Sequence, residues 1–230
     1  MLRPGLGSGC LKEVNDAWFT ARRRVLAPTN LEISRGESVA VVGRSGAGKS
    51  TLADVVLGLR VPASGRITVC GEEWCAAAGH PHKRPRHLVQ GVPQDPASAF
   101  VPRWTLRRSI ERAVRKLTGE RDVEARIRRA AELAHLELEL LDRKLTEISG
   151  GQAQRAAITR ALAAGPAVLV ADEPTSALDS TTAGEVSQAL LTIVKESDIA
   201  LMLVTHDTTF AERCDRTFRI IPPSERNHQE

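Results

Sequence analysis

The chain has 230 residues, 42% hydrophobic and 26% charged, with a formal net charge of +4, an ordinary globular composition for one large domain or a core with a subdomain. The mild, scattered, Arg-rich charge leaves a nucleic-acid or lipid surface open without indicating one. The four cysteines form no C-x-x-C pair, so neither a metal site nor a disulfide framework is expected, which suits a reducing compartment. No run approaches 18 apolar residues, and the Gly-rich first ten residues hold no apolar stretch of signal-peptide length.

In chain order, residues 11–19 and 31–33 read as opening strands, separated by a solvated turn at Arg22-Arg23-Arg24. Residues 38–42 form a buried apolar strand that runs into Gly43-Arg44-Ser45-Gly46-Ala47-Gly48-Lys49-Ser50-Thr51, and a helix is expected over about 49–59. Residues 67–69 read as a short strand. Residues 76–86, rich in Gly, Pro, His and basic side chains, read as a solvated loop, and its histidines lack the carboxylate or Cys neighbours of a metal site. Residues 88–92 form a buried strand that ends at Gln94. From 105 to 117 and from 121 to 141 the apolar spacing is helical, so a helical subdomain is inserted there. A further helix is expected over about 152–164, closed by Gly165-Pro166. Strands at 167–171 and 199–204 flank an amphipathic helix at 181–195, and 218–221 closes the core. Alternating strands and helices predict a mainly parallel α/β sheet, with ligands at the carboxyl ends of its strands. Gln94, Asp172, His206 and the glycine loop each follow an apolar strand, so all four should gather at one edge.

The glycine loop matches G-x-x-x-x-G-K-[ST] in the strand–loop–helix context that a phosphate cradle requires. Its glycines let backbone N–H groups approach phosphate oxygens. The following helix directs its positive dipole end at the same anion. Lys49 supplies a mobile cation, and the Ser50 hydroxyl is a natural Mg²⁺ ligand. Asp172 and Glu173 close the strand 167–171: one carboxylate suits a metal beside the phosphates, and the other can orient or deprotonate water. Ser149-Gly150-Gly151-Gln152 opens a helix and forms a second anion site. One nucleotide has little use for two such sites within one chain, so the second would close on a nucleotide held by another copy.

With these motifs in this order, residues 11–221 closely resemble the nucleotide-binding subunit of ATP-binding cassette (ABC) transporters. Ile148-Ser149-Gly150-Gly151-Gln152 matches the family signature, with Ile in place of the usual Leu. Ser176-Ala177-Leu178-Asp179 matches the D-loop, Gln94 the Q-loop and His206 the switch histidine. The resemblance implies an α/β phosphate-loop NTPase in one domain over 1–230. Its core would cover about 11–96 and 150–221, with an N-terminal antiparallel β part, a helical subdomain over about 97–149 and a polar tail over 222–230.

It also implies ATP and Mg²⁺ as cofactors. ATP would be bound by Gly43, Arg44, Ser45, Gly46, Ala47, Gly48, Lys49, Ser50 and Thr51. Trp18 would stack on adenine where relatives often use Tyr, with Phe19 as the alternative. Ser50, Gln94 and Asp172 would serve the metal. Glu173 would polarise the attacking water, with Gln94 and His206 reading the γ-phosphate. Ser149, Gly150, Gly151 and Gln152 would contact the ATP of a partner subunit, and Asp179 would act in the D-loop.

The segment Gln94-Asp95-Pro96-Ala97-Ser98 with Pro102-Arg103 is similar to the dipeptide, oligopeptide and nickel importer branch, although Val101 stands where Asn is usual. About 24 residues follow His206, fewer than that branch often carries. The implied role is an ATPase on the cytoplasmic face of the cell membrane, working with permease subunits, a second cassette that is identical or different, and an extracytoplasmic solute-binding protein. Nucleic acid is not expected. An exporter ATPase and a soluble ATP-driven switch are the alternatives.

Overall fold

The computed structural model describes residues 9–12, 26, 29–62, 64–77 and 85–221. The expected strand 11–19 lies largely outside them, as do Trp18, Phe19, the Arg22-Arg23-Arg24 turn, most of the 76–86 loop and the tail 222–230.

A four-stranded antiparallel sheet has the order β2-β1-β4-β5, built from β1 (Gly9–Lys12), β2 (Ile33–Ser34), β4 (Arg66–Val69) and β5 (Glu72–Ala76). A five-stranded parallel sheet has the order β6-β7-β8-β3-β9. Its strands are β3 (Ser38–Val42), β6 (Val89–Val92), β7 (Val168–Asp172), β8 (Ala200–Val204) and β9 (Arg216–Arg219). The helices are α1 (Lys49–Val56), α2 (Leu106–Thr118), α3 (Glu124–Leu133), α4 (Gly150–Ala163), α5 (Ser180–Ser197) and α6 (Thr208–Glu212). Here α2 and α3 form the inserted helical part.

The parallel sheet separates two cores. Successive strand residues point to opposite faces, so Val168 and Val170 of β7, with Met202 and Val204 of β8, join Leu52, Val55 and Val56 of α1 and the antiparallel sheet. The intervening Leu169, Ala171, Leu201 and Leu203 join Ile110 and Val114 of α2, Ile127 of α3, Ile158 of α4 and Leu190 of α5. Thus α1 covers one face of the sheet, and α4, α5 and the helical insert cover the other.

Two elements had no sequence signal strong enough to find them. β5 pairs with β4 through a two-residue turn in which Cys70 and Gly71 both have positive φ, 53° and 83°, the geometry that matches strand twist. The indole N–H of Trp74 in β5 donates to the Val56 carbonyl at 2.9 Å and ties this hairpin to the end of α1. The short α6 is capped by Asp207, which accepts from the Thr209 and Phe210 amides. Two expected helices also end early. Gly58 at φ 69° turns the chain out after α1, and His135 at φ 52° stops the helix expected to reach 141. Residues 138–142 then form a separate 3-10 turn.

Candidate functional site

The glycine loop links β3 to α1. Gly48 has φ 101° and opens α1, and Gly46 has φ 77°, backbone regions that side chains other than glycine rarely adopt. A Cβ on Gly43 would lie 2.7 Å from the Ile220 carbonyl oxygen, so the loop passes too close to the chain after β9 for any larger residue. Lys49 Nζ donates to the carbonyls of Gly43 and Arg44 at 2.9 and 3.2 Å, which holds the ammonium over the loop. Arg44, Ser45 and Gly46 are exposed, whereas Ala47 is fully buried and anchors the turn.

Strand order brings the other groups to this loop. Gln94, Asp172 and His206 lie at or just beyond the carboxyl ends of β6, β7 and β8, which together with β3 are adjacent in the sheet. Asp172 closes β7. Burial pushes its carboxyl above the ordinary carboxylate range, the Ser50 hydroxyl facing it works in the opposite direction, and the charges of Glu173 and Asp54 raise it further. Its Oδ1 is buried and has no hydrogen-bond partner among the described residues. A buried carboxylate oxygen without a partner, facing a hydroxyl and crowded by two further carboxylates, fits a Mg²⁺ ion, and the chemistry of the donors is hard oxygen throughout.

Glu173 adopts φ 46°. Its N–H donates to the Val204 carbonyl at 2.8 Å, and its Oε1 lies 3.1 Å from His206 Nδ1. The Glu173 side chain is 24% exposed and that of His206 67%, so the pair stands at the rim with the imidazole outward. Gln94 Nε2 donates to Ser176 Oγ at 3.0 Å, and Ser176 Oγ donates to the Glu173 carbonyl at 3.1 Å. Sequence reasoning placed Ser176 only within a motif. This bridge spans 82 positions of chain and has no local signature.

The second glycine motif lies elsewhere. Ser149 caps α4: its Oγ accepts from the Gln152 amide at 3.3 Å, and Gln152 Oε1 accepts from the Ser149 amide at 2.9 Å, a reciprocal capping box. The helix therefore begins at Gly150, two residues before the expected 152. A Cβ on Gly151 would meet Thr182 Cγ2 at 2.4 Å, so this glycine is required by α5 packing as well as by any anion. Asp179 caps α5 by accepting from the Thr182 amide at 3.0 Å, and that contact holds its carboxyl below the usual range. Because α4 and α1 cover opposite faces of the sheet, Ser149 does not join the loop of its own chain.

A groove of about 780 Å³ separates α1 from the helical part, lined among others by Leu57, Arg86, Gln94, Lys116, Arg160 and Asp172. Burial lowers the pKa of the Arg160 guanidinium.

A profile of the ABC transporter family matches residues 26–176. The chain is 37% identical over 192 residues to the lipoprotein-releasing system ATP-binding protein LolD of Xylella fastidiosa, covering 83% of this chain and 79% of that protein. It is 38% identical over 201 residues to the nickel import ATP-binding protein NikE of Brucella suis, covering 85% and 76%. Among solved structures, a dimeric post-hydrolysis ATP-binding cassette bound to ADP and phosphate is 30% identical with a TM-score of 0.76, covering 91% of this chain and 93% of that one. The cassette cbiO1 of Clostridium perfringens, part of the transporter complex cbiONQ, is 27% identical with a TM-score of 0.80. The chain belongs to the ABC transporter family. It is an ATPase, the ATP-binding subunit of such a transporter. No helix among the described residues is long and apolar enough to cross a membrane.

Proposed function

We propose that this chain powers import of a small solute of the nickel-complex or peptide type, acting on the cytoplasmic face of the membrane through separate permease subunits. The similarity to the NikE ATPases carries this reading, at 37–38% identity over 82–85% of the chain. An exporter-like role in lipoprotein release is the second reading, and the 37% identity to LolD favours it.

The site supports the following roles. Loop amides and Lys49 bind the phosphates of ATP, with Thr51 beside them at the start of α1. Ser50, Asp172 and Gln94 would hold Mg²⁺, which when bound neutralises charge developing on the phosphoryl oxygens. Glu173 orients and deprotonates the attacking water, and His206, whose Nδ1 faces the Glu173 carboxylate, reaches for the γ-phosphate. Trp18, which lies outside the described residues, is assigned to adenine from the sequence resemblance alone. Ser149, Gly150, Gly151 and Gln152 of a second cassette close over that phosphate, because their own sheet stands between them and their own loop; Asp179 lies in the segment that meets this partner. The helical insert passes the resulting motion to the permease at the groove, where the cations Arg86, Lys116 and Arg160 have no acidic partner among the described residues.

The Glu173→Gln protein, trapped with ATP in detergent-solubilised host membranes, tests this reading by what it retains. Co-purification of a polytopic permease, a second cassette and an extracytoplasmic binding protein supports import, and the binding protein then reports the cargo. A permease without a binding protein moves the weight to export. Ribosomes or nucleic acid without membrane protein would sink the transport role.

A further inference from the structure

We infer that Ser176 is a positioning residue that couples the Gln94 side chain, and through it the helical half of the molecule, to the backbone of Glu173. The inference rests on the reading of Glu173 as the group that acts on water. Glu173 holds φ 46°, a conformation that strains a residue with a Cβ and persists only where its surroundings over-determine it. Both ends of the residue are fastened. Its N–H donates to Val204 O at 2.8 Å, and its carbonyl accepts from the Ser176 amide at 3.2 Å and from the Ser176 hydroxyl at 3.1 Å. That backbone angle directs the carboxylate to within 3.1 Å of His206.

The Ser176 hydroxyl has one proton, donated to the Glu173 carbonyl, and its lone pair accepts from Gln94 Nε2 at 3.0 Å. The three groups thus form one directional chain of hydrogen bonds, amide to hydroxyl to carbonyl, in which each bond polarises the next. At its far end the chain reaches the signature helix: the buried Gln154 of α4 donates to the Pro93 carbonyl at 3.1 Å, next to Gln94. A displacement of the helical half must therefore stretch the Gln94–Ser176 bond, since that bond crosses from the segment leading into α2 to the segment after β7. With that bond broken, one restraint on the Glu173 backbone weakens and the carboxylate is less well aimed. Catalytic competence then follows the position of the helical half.

The experiment measures steady-state ATP hydrolysis and non-hydrolytic ATP binding for the full chain as Ser176→Ala, Ser176→Thr, Gln94→Ala and Gln94→Ala/Ser176→Ala. Ser176→Ala is expected to lower kcat about five-fold, the factor of one neutral hydrogen bond, with KM and ATP affinity within about two-fold of wild type. Ser176→Thr, which keeps the hydroxyl, restores kcat. The double variant is no slower than Gln94→Ala alone, because both changes break the same chain. A wild-type kcat for Ser176→Ala, a Thr variant as slow as the Ala variant, an effect on KM alone, or full additivity in the double variant would each overturn the coupling. Glu173→Gln, assayed alongside, separates the two ideas. If it turns over normally, the role of Glu173 fails. If it is inactive while Ser176→Ala is unaffected, only the coupling fails.

Discussion

At Gly151 an added methyl would stand 2.4 Å from Thr182 Cγ2, so one residue serves two demands: an open helix start, and close packing against α5. Gly151→Ala is expected to destabilise the fold by about 1–2 kcal/mol. Adding Thr182→Ser, which removes the offending methyl, should return most of that stability in chemical denaturation; no recovery in the double variant would refute the steric account. Asp172 illustrates the opposite tension. Its carboxyl is raised above the ordinary range by burial first and by Glu173 and Asp54 after it, against the pull of Ser50 and Lys49. A raised acid favours the folded state most when protonated, so this contribution is present below the unfolded pKa and is lost as pH rises through the folded one. At neutral pH without nucleotide, Asp172→Asn should therefore raise the melting temperature by about 2 °C, while with Mg²⁺ and ATP it should lose the extra stability that wild type gains. A variant less stable than wild type in both conditions would contradict the strain assigned to this carboxylate. The Asp-Glu pair was legible in the sequence as chemistry after a strand. Its missing hydrogen-bond partner was not, because that depends on what α1 and the neighbouring strands bring to it.

The strand that carries the phosphate loop is held by a knot at its other end. Ser38, the first residue of β3, donates from Oγ and N to Asp215 Oδ2 at 2.6 and 2.8 Å, and Asp215 N donates back to Ser38 Oγ at 3.0 Å. Lys195 in the last turn of α5 reaches Asp215 Oδ1 at 2.7 Å and the Gly36 carbonyl at 3.0 Å. Partial burial alone would raise the Asp215 carboxyl, but Lys195 and Ser38 outweigh it and hold it down at about 2. A depressed acid stabilises the fold above its unfolded pKa, near 3.9, and loses that contribution as pH falls through the folded value. Because the side chain is 39% exposed, solvent screening limits the effect to about 1 kcal/mol. Asp215→Asn should cost that much at pH 7, with the gap to wild type closing between about pH 4 and pH 2; an undiminished gap at pH 2.5 would show that packing, not charge, is responsible. The strands in this network were readable as apolar runs. The knot was not, since its members are up to 177 positions apart.

Across the whole molecule the parallel sheet is a partition. On one face lie α1 and the antiparallel sheet, and on the other α4, α5 and the helical insert. The loop at the end of β3 and the cap of α4 therefore belong to elements on opposite faces, and this separation is what the proposed closure of two copies, or of two different cassettes, rests on. Ser149→Arg should leave ATP affinity within about two-fold of wild type but abolish the ATP-induced dimer in the Glu173→Gln background, as read by light scattering. A dimer that forms as readily as before would count against the composite site.

What the sequence determined by itself is the set of features whose cause is local. The loop 43–51 was legible because a phosphate cradle needs glycines, Lys and Ser at fixed offsets. That a helix follows Ser149-Gly150-Gly151-Gln152 was legible, though its start was expected at 152 rather than at Gly150, and β3, β7 and β8 were legible from unbroken apolar runs that only a doubly covered sheet can bury. The gathering of Gln94, Asp172 and His206 followed from the rule that ligands sit at the carboxyl ends of parallel strands. The tertiary structure alone decided which groups meet. The β6-β7-β8-β3-β9 order, the Gln94–Ser176–Glu173 chain and the Ser38–Asp215–Lys195 knot all depend on segments brought together across the chain, and a hydrogen bond leaves no periodicity in a sequence when its two ends are tens of residues apart.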